Sequence, residues 1–208
     1  MDEHYFLEPL TAFVRGRLQE LSDEELVELA RGQGWRVHRY KRASELPRVR
    51  KVLGMLHGVQ PQTLLDLGTG RGVFLWPLLD EFPELPVTCV DTREDRVADL
   101  MRVSRGGITR LRATTADIRA LPYPDKSFDV VTALEVFEHL DDALPAAREA
   151  IRVAQRHVVV SVPSQEDDNP EHLRLFTAAS LTELLTSAGS ARVTVDHVLN
   201  HRLALASL

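Results

Sequence analysis

From residue 63 to residue 207, short apolar runs rich in β-branched residues alternate with stretches in which apolar positions recur every three or four residues. This rhythm predicts strands near 63–67, 86–91, 108–113, 128–133, 156–162, 191–199 and 202–207, with helices near 72–82, 93–104, 142–153 and 178–188. Strand following helix in this way is the signature of an α/β fold. Leu64, Leu65 and Leu67, and again Val158-Val159-Val160, put apolar side chains on both faces, as a parallel sheet covered on two sides requires. The last two strands are joined by too few residues for a crossover, so they are expected to pair antiparallel. Ahead of this region Ser22-Asp23-Glu24-Glu25 forms a capping box, with Leu21 and Leu26 placed as a hydrophobic staple, and predicts a helix ended by Gly32 and Gly34. A second helix is expected from Ser44, with Pro47 in its first turn, Leu46, Val49, Val52, Leu53 and Leu56 on one face, and Pro61 as its stop. The chain thus divides into an N-terminal helical appendage, residues 1–60, and a sheet domain, residues 61–208.

Composition narrows the class without changing this picture. An apolar share of 44% and a charged share of 27% over 208 residues are those of an ordinary globular chain and exclude disordered and fibrous classes. No apolar run approaches the roughly 18 residues of a membrane helix, and Met1-Asp2-Glu3-His4 lacks the order of a signal peptide, so no membrane partner and a cytoplasmic location are expected. The single cysteine, Cys89, lies in the apolar run Val87-Thr88-Cys89-Val90 and reads as a buried strand residue rather than a redox group. The net charge of -6 argues against a chain that coats nucleic acid, yet it averages two opposite blocks. Residues 1–30 hold eight Asp or Glu against Arg15 and Arg17, whereas residues 31–51 hold Arg31, Arg36, Arg39, Lys41, Arg42, Arg48, Arg50 and Lys51 against Glu45. With Trp35 and Tyr40 interleaved, the second block has the charges to track a phosphate backbone and the rings to stack on bases. The plainer reading, a solvated basic face answering the acidic block, is preferred.

The chemistry begins at Leu64-Leu65-Asp66-Leu67-Gly68-Thr69-Gly70-Arg71-Gly72, where a strand runs through a glycine-rich turn into a helix and lets the backbone approach a ligand closely. Val73 stands where a dinucleotide fingerprint needs its third glycine, and neither a phosphate-binding G-x-x-x-x-G-K-[ST] motif nor a Tyr-x-x-x-Lys pair occurs. Asp66, inside the motif, would repel a phosphate but suits a ligand bearing an ammonium group. That combination points to S-adenosylmethionine.

On these residues the chain resembles the class I S-adenosylmethionine-dependent methyltransferases over about residues 50–208, most nearly the broad type 11-like subfamily that acts on small molecules, lipids, quinones and sometimes RNA. Four segments carry the likeness: Asp66 to Gly72, Val90-Asp91, Thr115-Ala116-Asp117-Ile118, and Leu121-Pro122-Tyr123-Pro124-Asp125-Lys126-Ser127-Phe128-Asp129-Val130-Val131. The resemblance implies a Rossmann-like, doubly wound, seven-stranded sheet with helices on both faces. It also implies that Asp66, Gly68, Thr69, Gly70 and Gly72 hold the amino acid moiety and that Asp91 takes the ribose hydroxyls. Thr92 would lie beside it as a contact and helix cap, Asp117 and Ile118 would meet the adenine, and Leu134 would close the pocket. The reaction implied is an in-line displacement at the sulfonium methyl, which needs no nucleophilic side chain because the cofactor supplies the electrophile.

Acceptor residues are expected after the fourth strand. In Glu135-Val136-Phe137-Glu138-His139, a helical turn would place Glu135, Glu138 and His139 on one face, and a further His172 follows in Pro170-Glu171-His172-Leu173-Arg174-Leu175-Phe176-Thr177. The preferred reading makes these four catalytic residues of a metal-free pocket for a small-molecule acceptor. An alternative is a resemblance to the small-RNA 3′-terminal 2′-O-methyltransferases, which implies a divalent Mn, Mg, Co or Zn ion on Glu135, Glu138, His139 and His172 and an RNA contact through residues 31–51. Glu171 to Thr177 looks more like the small-molecule subfamily than those RNA enzymes. A third reading is a non-catalytic binding module of the same fold. Since helices ahead of the first strand typically cover the cofactor in this family, residues 1–60 are the expected lid and acceptor selector.

Overall fold

Seven strands form a single sheet in the order β3-β2-β1-β4-β5-β7-β6 in the computed structural model of the chain, which describes residues 5–17, 21–35, 37–40, 46–165 and 169–208. The strands are β1 (Leu64–Leu67), β2 (Val87–Asp91), β3 (Leu111–Thr115), β4 (Phe128–Leu134), β5 (Ala154–Pro163), β6 (Arg192–Val198) and β7 (His201–Ser207). The first five run parallel, and β7 lies antiparallel to both β5 and β6. Strand order therefore reverses between β1 and β4. At such a switch point the connections leave in opposite directions and open a crevice beyond the carboxyl ends of the strands, where ligands bind in open α/β sheets.

Alternation along the strands sorts the core into two layers. Leu64, Val87, Leu111, Val130, Val159 and Leu203 face one side, under α1 (Leu7–Arg15), α2 (Asp23–Gly32), α3 (Pro47–Val59), α4 (Leu75–Glu81) and α5 (Glu94–Arg105). Leu65, Leu67, Val90, Val131, Ala133, Val158 and Val160 face the other, under α6 (Leu144–Val153) and α7 (Ala178–Ala188). Val49, Val52 and Leu56 belong to the same apolar cluster as Leu64 and Val87, so residues on either side of Gln60 build one continuous core. Among the described residues no helix is long and apolar enough to cross a membrane.

The α2 capping box forms as expected, with the Ser22 side chain accepting from the Glu25 N–H. Helix α1 is not among the expected elements. It is amphipathic, burying Pro9 to Val14 while Glu8 and Arg15 stay exposed, but at nine residues it is too short for its periodicity to stand out. Ile108, expected in a strand, instead closes α5 by donating its N–H to the Val103 carbonyl, and β3 begins three residues later. Helix α4 starts at Leu75 because the glycine turn before it is longer than expected. The basic stretch also differs from expectation: Tyr40 is buried, with its ring 5.5 Å from Phe13 and 4.8 Å from Trp76, and Trp35 packs edge-on to Phe13. These rings are core residues, not a stacking platform for bases. Arg36, Lys41, Arg42, Ser44 and Glu45, and the side chain of Arg39, lie outside the described residues.

Helices α1 and α5 approach so closely that two glycines are required at reciprocal points. A Cβ on Gly16 would lie 2.2 Å from the Arg102 carbonyl oxygen, and one on Gly106 would lie 1.5 Å from that of Ala12. Gly106 has an ordinary backbone (φ -77), so its requirement is purely steric. Gly106→Ala is expected to destabilise the fold by about 2–3 kcal/mol through overpacking, read as a lower urea midpoint.

Candidate functional site

The carboxyl end of β1 is enclosed on both faces, and Asp66 is only 3% exposed there. Thr132 of β4 donates its hydroxyl to Asp66 Oδ1 at 2.7 Å. Burial pushes the Asp66 carboxyl up to about 6, against the downward pull of its hydrogen bonds to Thr132 and Thr69. Beyond β1 the chain turns through left-handed conformations at Gly68, Gly70 and Gly72 (φ 66, 61 and 80). Side chains fail at two of these for a further reason: a Cβ on Gly68 would meet Val136 at 2.6 Å, and one on Gly72 would meet the Trp76 indole at 2.4 Å. At Gly70 the nearest atoms are 3.6 Å away or more, so this face of the turn is open.

Asp91, 4% exposed at the end of β2, ties the turn in place. Its Oδ2 accepts from the Gly70 N–H at 3.0 Å and from Arg96 Nη1 at 3.2 Å, and its Oδ1 accepts from the Arg93 N–H at 2.9 Å. Thr92 does not cap the helix; the cap position is Arg93, and the Asp91 carboxylate meets its amide instead. In the next loop Asp117 pairs with Arg119 at 2.6 Å, and the bonds from that side chain hold its carboxyl below the usual range. Ile118 beside it is buried, and the Ala116 N–H donates to the Asp91 carbonyl. Asp66, Asp91 and Asp117 thus stand at the carboxyl ends of three adjacent strands around one glycine turn. Leu134, at the end of β4, packs into the layer that Asp66 faces.

The four expected acceptor residues divide into two groups. Glu135 adopts a left-handed conformation (φ 57), and the single helical turn that follows is a short 3-10 segment, Phe137–His139. That reversal removes Glu135 from the face of Glu138 and His139, so the expected four-ligand set is not assembled. Glu138 is fully buried, and its carbonyl accepts from the Leu173 N–H at 2.8 Å; His139 Nδ1 lies 2.9 Å from the Glu171 carbonyl, and the His139 and His172 rings are 4.9 Å apart. One ligand atom from each of Glu138, His139 and His172 falls within 4.8 Å of the others, close enough for three donors to one divalent ion.

Glu135 turns instead toward residues that the sequence does not place in the site. Ser161 of β5 donates to its Oε1 at 2.6 Å, His201 Nε2 lies 3.1 Å from its Oε2, and Arg48 Nε of α3 is 4.0 Å away. Burial raises the Glu135 pKa, but the bonds from His201 and Ser161 and the charges of His201 and Arg48 outweigh it and hold the carboxyl below its ordinary value. One signal for this group was present in the chain: Ser161 interrupts the apolar run Val158-Val159-Val160-Ser161-Val162 in a strand enclosed on both faces.

Residues 65–161 match a family model described as a methyltransferase domain. A malonyl-[acyl-carrier protein] O-methyltransferase of Geobacter sulfurreducens is 33% identical over 105 residues, 50% of this chain and 39% of that protein. A probable S-adenosylmethionine-dependent methyltransferase of Mycolicibacterium smegmatis is 41% identical over 145 residues, 65% of this chain and 54% of that protein. The crystal structure of a SAM dependent methyltransferase from Aquifex aeolicus aligns with a TM-score of 0.66 and 26% identity, covering 78% of this chain and 90% of that one. The chain spans about half or less of the length of these two curated relatives.

The raised Asp66 carboxyl sets a stability trend of known sign. Its native pKa of about 6 exceeds the ordinary 3.8, so the folded state holds the proton more tightly and stability is lost as pH rises through that window. The loss amounts to roughly 3 kcal/mol between about pH 4 and pH 7. Asp66→Asn is expected to escape it, so urea titrations across that range should show the variant gaining on wild type as pH rises.

Proposed function

The chain belongs to the class I S-adenosylmethionine-dependent methyltransferases of the type 11-like kind, and from that premise we propose that it transfers the sulfonium methyl group to a small-molecule acceptor. The observation that carries this reading is the set of three strand-end carboxylates around an open glycine turn. Such a site disfavours a phosphate and suits a ligand with an ammonium and a sulfonium charge. When bound, S-adenosylmethionine supplies an electrophilic methyl on a good leaving group. Asp66, with the backbone from Gly68 through Thr69 and Gly70 to Gly72, receives the amino acid end. Asp91 takes the ribose hydroxyls, for which Arg96 gives up its bond to Oδ2, with Thr92 at the rim. Asp117 and Ile118 hold the adenine, and Leu134 borders the methyl-bearing end.

The acceptor enters at the carboxyl ends of β4 and β5, between Glu135 on one side and Glu138, His139 and His172 on the other. The protein's part is to align the acceptor atom with the methyl, exclude water and accept a proton where one is released. Residues 1–60 serve as the lid and acceptor selector, since α3 carries Arg48 to within 4.0 Å of Glu135. The chain's relatives include enzymes named for malonyl-[acyl-carrier protein] and for ribosomal RNA, and the metabolite-type acceptor is favoured because Trp35 and Tyr40 pack against other rings rather than forming a stacking platform for bases. A cytoplasmic setting suits a chain whose single cysteine, Cys89, is a buried thiol.

Calorimetric titration with S-adenosylhomocysteine tests the reading. Wild type should bind, and Asp91→Ala, which removes a buried charged acceptor worth roughly 1.5–3 kcal/mol, should bind about 10- to 100-fold more weakly. A wild-type protein with no measurable affinity would end the proposal.

A further inference from the structure

We infer that His201, held by Glu135, is the base that removes the proton from a hydroxyl-bearing acceptor during methyl transfer. The inference rests on the methyltransferase reading and narrows it to acceptors whose attacking group is O–H. Neither residue of the pair is accounted for by cofactor binding.

The pair stands where an acceptor must pass. Thr132 and Leu134 alternate with the apolar residues of β4's other face, and Thr132 bonds Asp66 on the side that the lid covers. In the sheet register Leu134 lies beside Ser161, and Pro163 lies beside His201. A row therefore runs along one face from Asp66 through Thr132 and Ser161 to His201, across the carboxyl ends of β1, β4 and β5 and the start of β7. Val136, the residue after Glu135, is the very side chain that forbids a Cβ on Gly68. The Glu135 turn and the cofactor turn are thus in contact.

Chemistry assigns the roles within the pair. The Glu135 carboxylate can only accept, so at 3.1 Å it takes the Nε2–H of His201, and in the neutral imidazole that bond leaves the lone pair on Nδ1. This is the relation by which a carboxylate fixes the tautomer and orientation of a basic histidine. Ser161 donates to the other carboxylate oxygen and Arg48 balances its charge, which keeps Glu135 ionised while partly buried. Both side chains are partly exposed, at 22% and 23%. Glu135 also holds a left-handed backbone that a glycine would adopt more easily, a strain of the kind retained at functional sites.

The step balances without a further reagent. The acceptor oxygen forms its bond to the methyl carbon as the carbon–sulfur bond breaks, and sulfur keeps the electron pair. The hydroxyl proton passes to His201 Nδ1, and the imidazolium so formed is stabilised by Glu135 until it releases the proton to water. A carboxylate acceptor has no such proton and would leave the pair without a task.

Two measurements on the full chain test this. Nitrogen-15 NMR of the histidines with S-adenosylhomocysteine bound, with His201 assigned from its loss in His201→Gln, should show Nε2 protonated and Nδ1 unprotonated at pH 8. Glu135→Gln should shift that tautomer balance. Methyl-labelled S-adenosylmethionine offered with a panel of phenols, aliphatic alcohols and carboxylic acids should label hydroxyls. His201→Gln should then cut transfer about 100-fold or more while S-adenosylhomocysteine affinity stays within about twofold of wild type. A proton on Nδ1 in wild type, label found on carboxylic acids alone, or undiminished hydroxyl transfer by His201→Gln would each overturn the assignment. If no panel member takes label, the NMR tautomer decides alone. Absence of S-adenosylhomocysteine binding would overturn the methyltransferase reading and the role of this pair with it, whereas binding with any of the three results above would overturn the pair alone.

Discussion

Asp66 lies between Leu65 and Leu67, both fully enclosed, on a strand with neighbours on either side and helical layers above and below. A carboxylate in such a place has lost its water and regained only the Thr132 hydroxyl and the Thr69 contact. That deficit organises what surrounds it. The fold tolerates a group with a raised pKa at the middle of its sheet, and a charged ligand arriving there would replace hydration that the protein has removed. The glycine turn beyond it must stay close to β2, which the Gly68 N–H does through the Val90 carbonyl and Gly70 through Asp91. The crevice is therefore in large part preformed by backbone bonds, and side chains such as Arg96 and Arg119 occupy the two other carboxylates within it.

Those carboxylates were legible in the sequence because each lies at the end of its own strand, inside a short local pattern. Asp66, Asp91 and Asp117 need no knowledge of distant residues to be singled out, whereas the doubly wound sheet that brings them together is implied by the family resemblance and not by the rhythm alone. Glu138, His139 and His172 do come together, whereas the partners of Glu135 were not legible, for the opposite reason. Arg48, Glu135, Ser161 and His201 come from four elements spread over most of the chain, and only the sheet register makes them neighbours. Periodicity also misled at Glu135: helical spacing assumes right-handed backbone throughout, and one residue at φ 57 cancels it.

The N-terminal region shows a related limit. Its charges are conspicuous in the sequence, whereas what fixes it is apolar: the buried run Pro9 to Val14 of α1, the Gly16 and Gly106 contacts, and the rings of Phe13 and Tyr40. Trp35 and Tyr40 look like exposed aromatics in a basic stretch only while their partners are unknown. Composition registers the charge of a segment, but not which of its rings have neighbours.

Trp76 joins these two halves of the molecule. Its indole N–H donates to the Arg71 carbonyl, its ring fills the space that a Cβ on Gly72 would need, and its opposite side meets Tyr40 at 4.8 Å. One indole plane thus packs against both the glycine turn and the 3-10 segment that carries Tyr40. A substitution at Trp76 therefore bears at once on the glycine turn and on the packing of Tyr40, because one side chain is common to both.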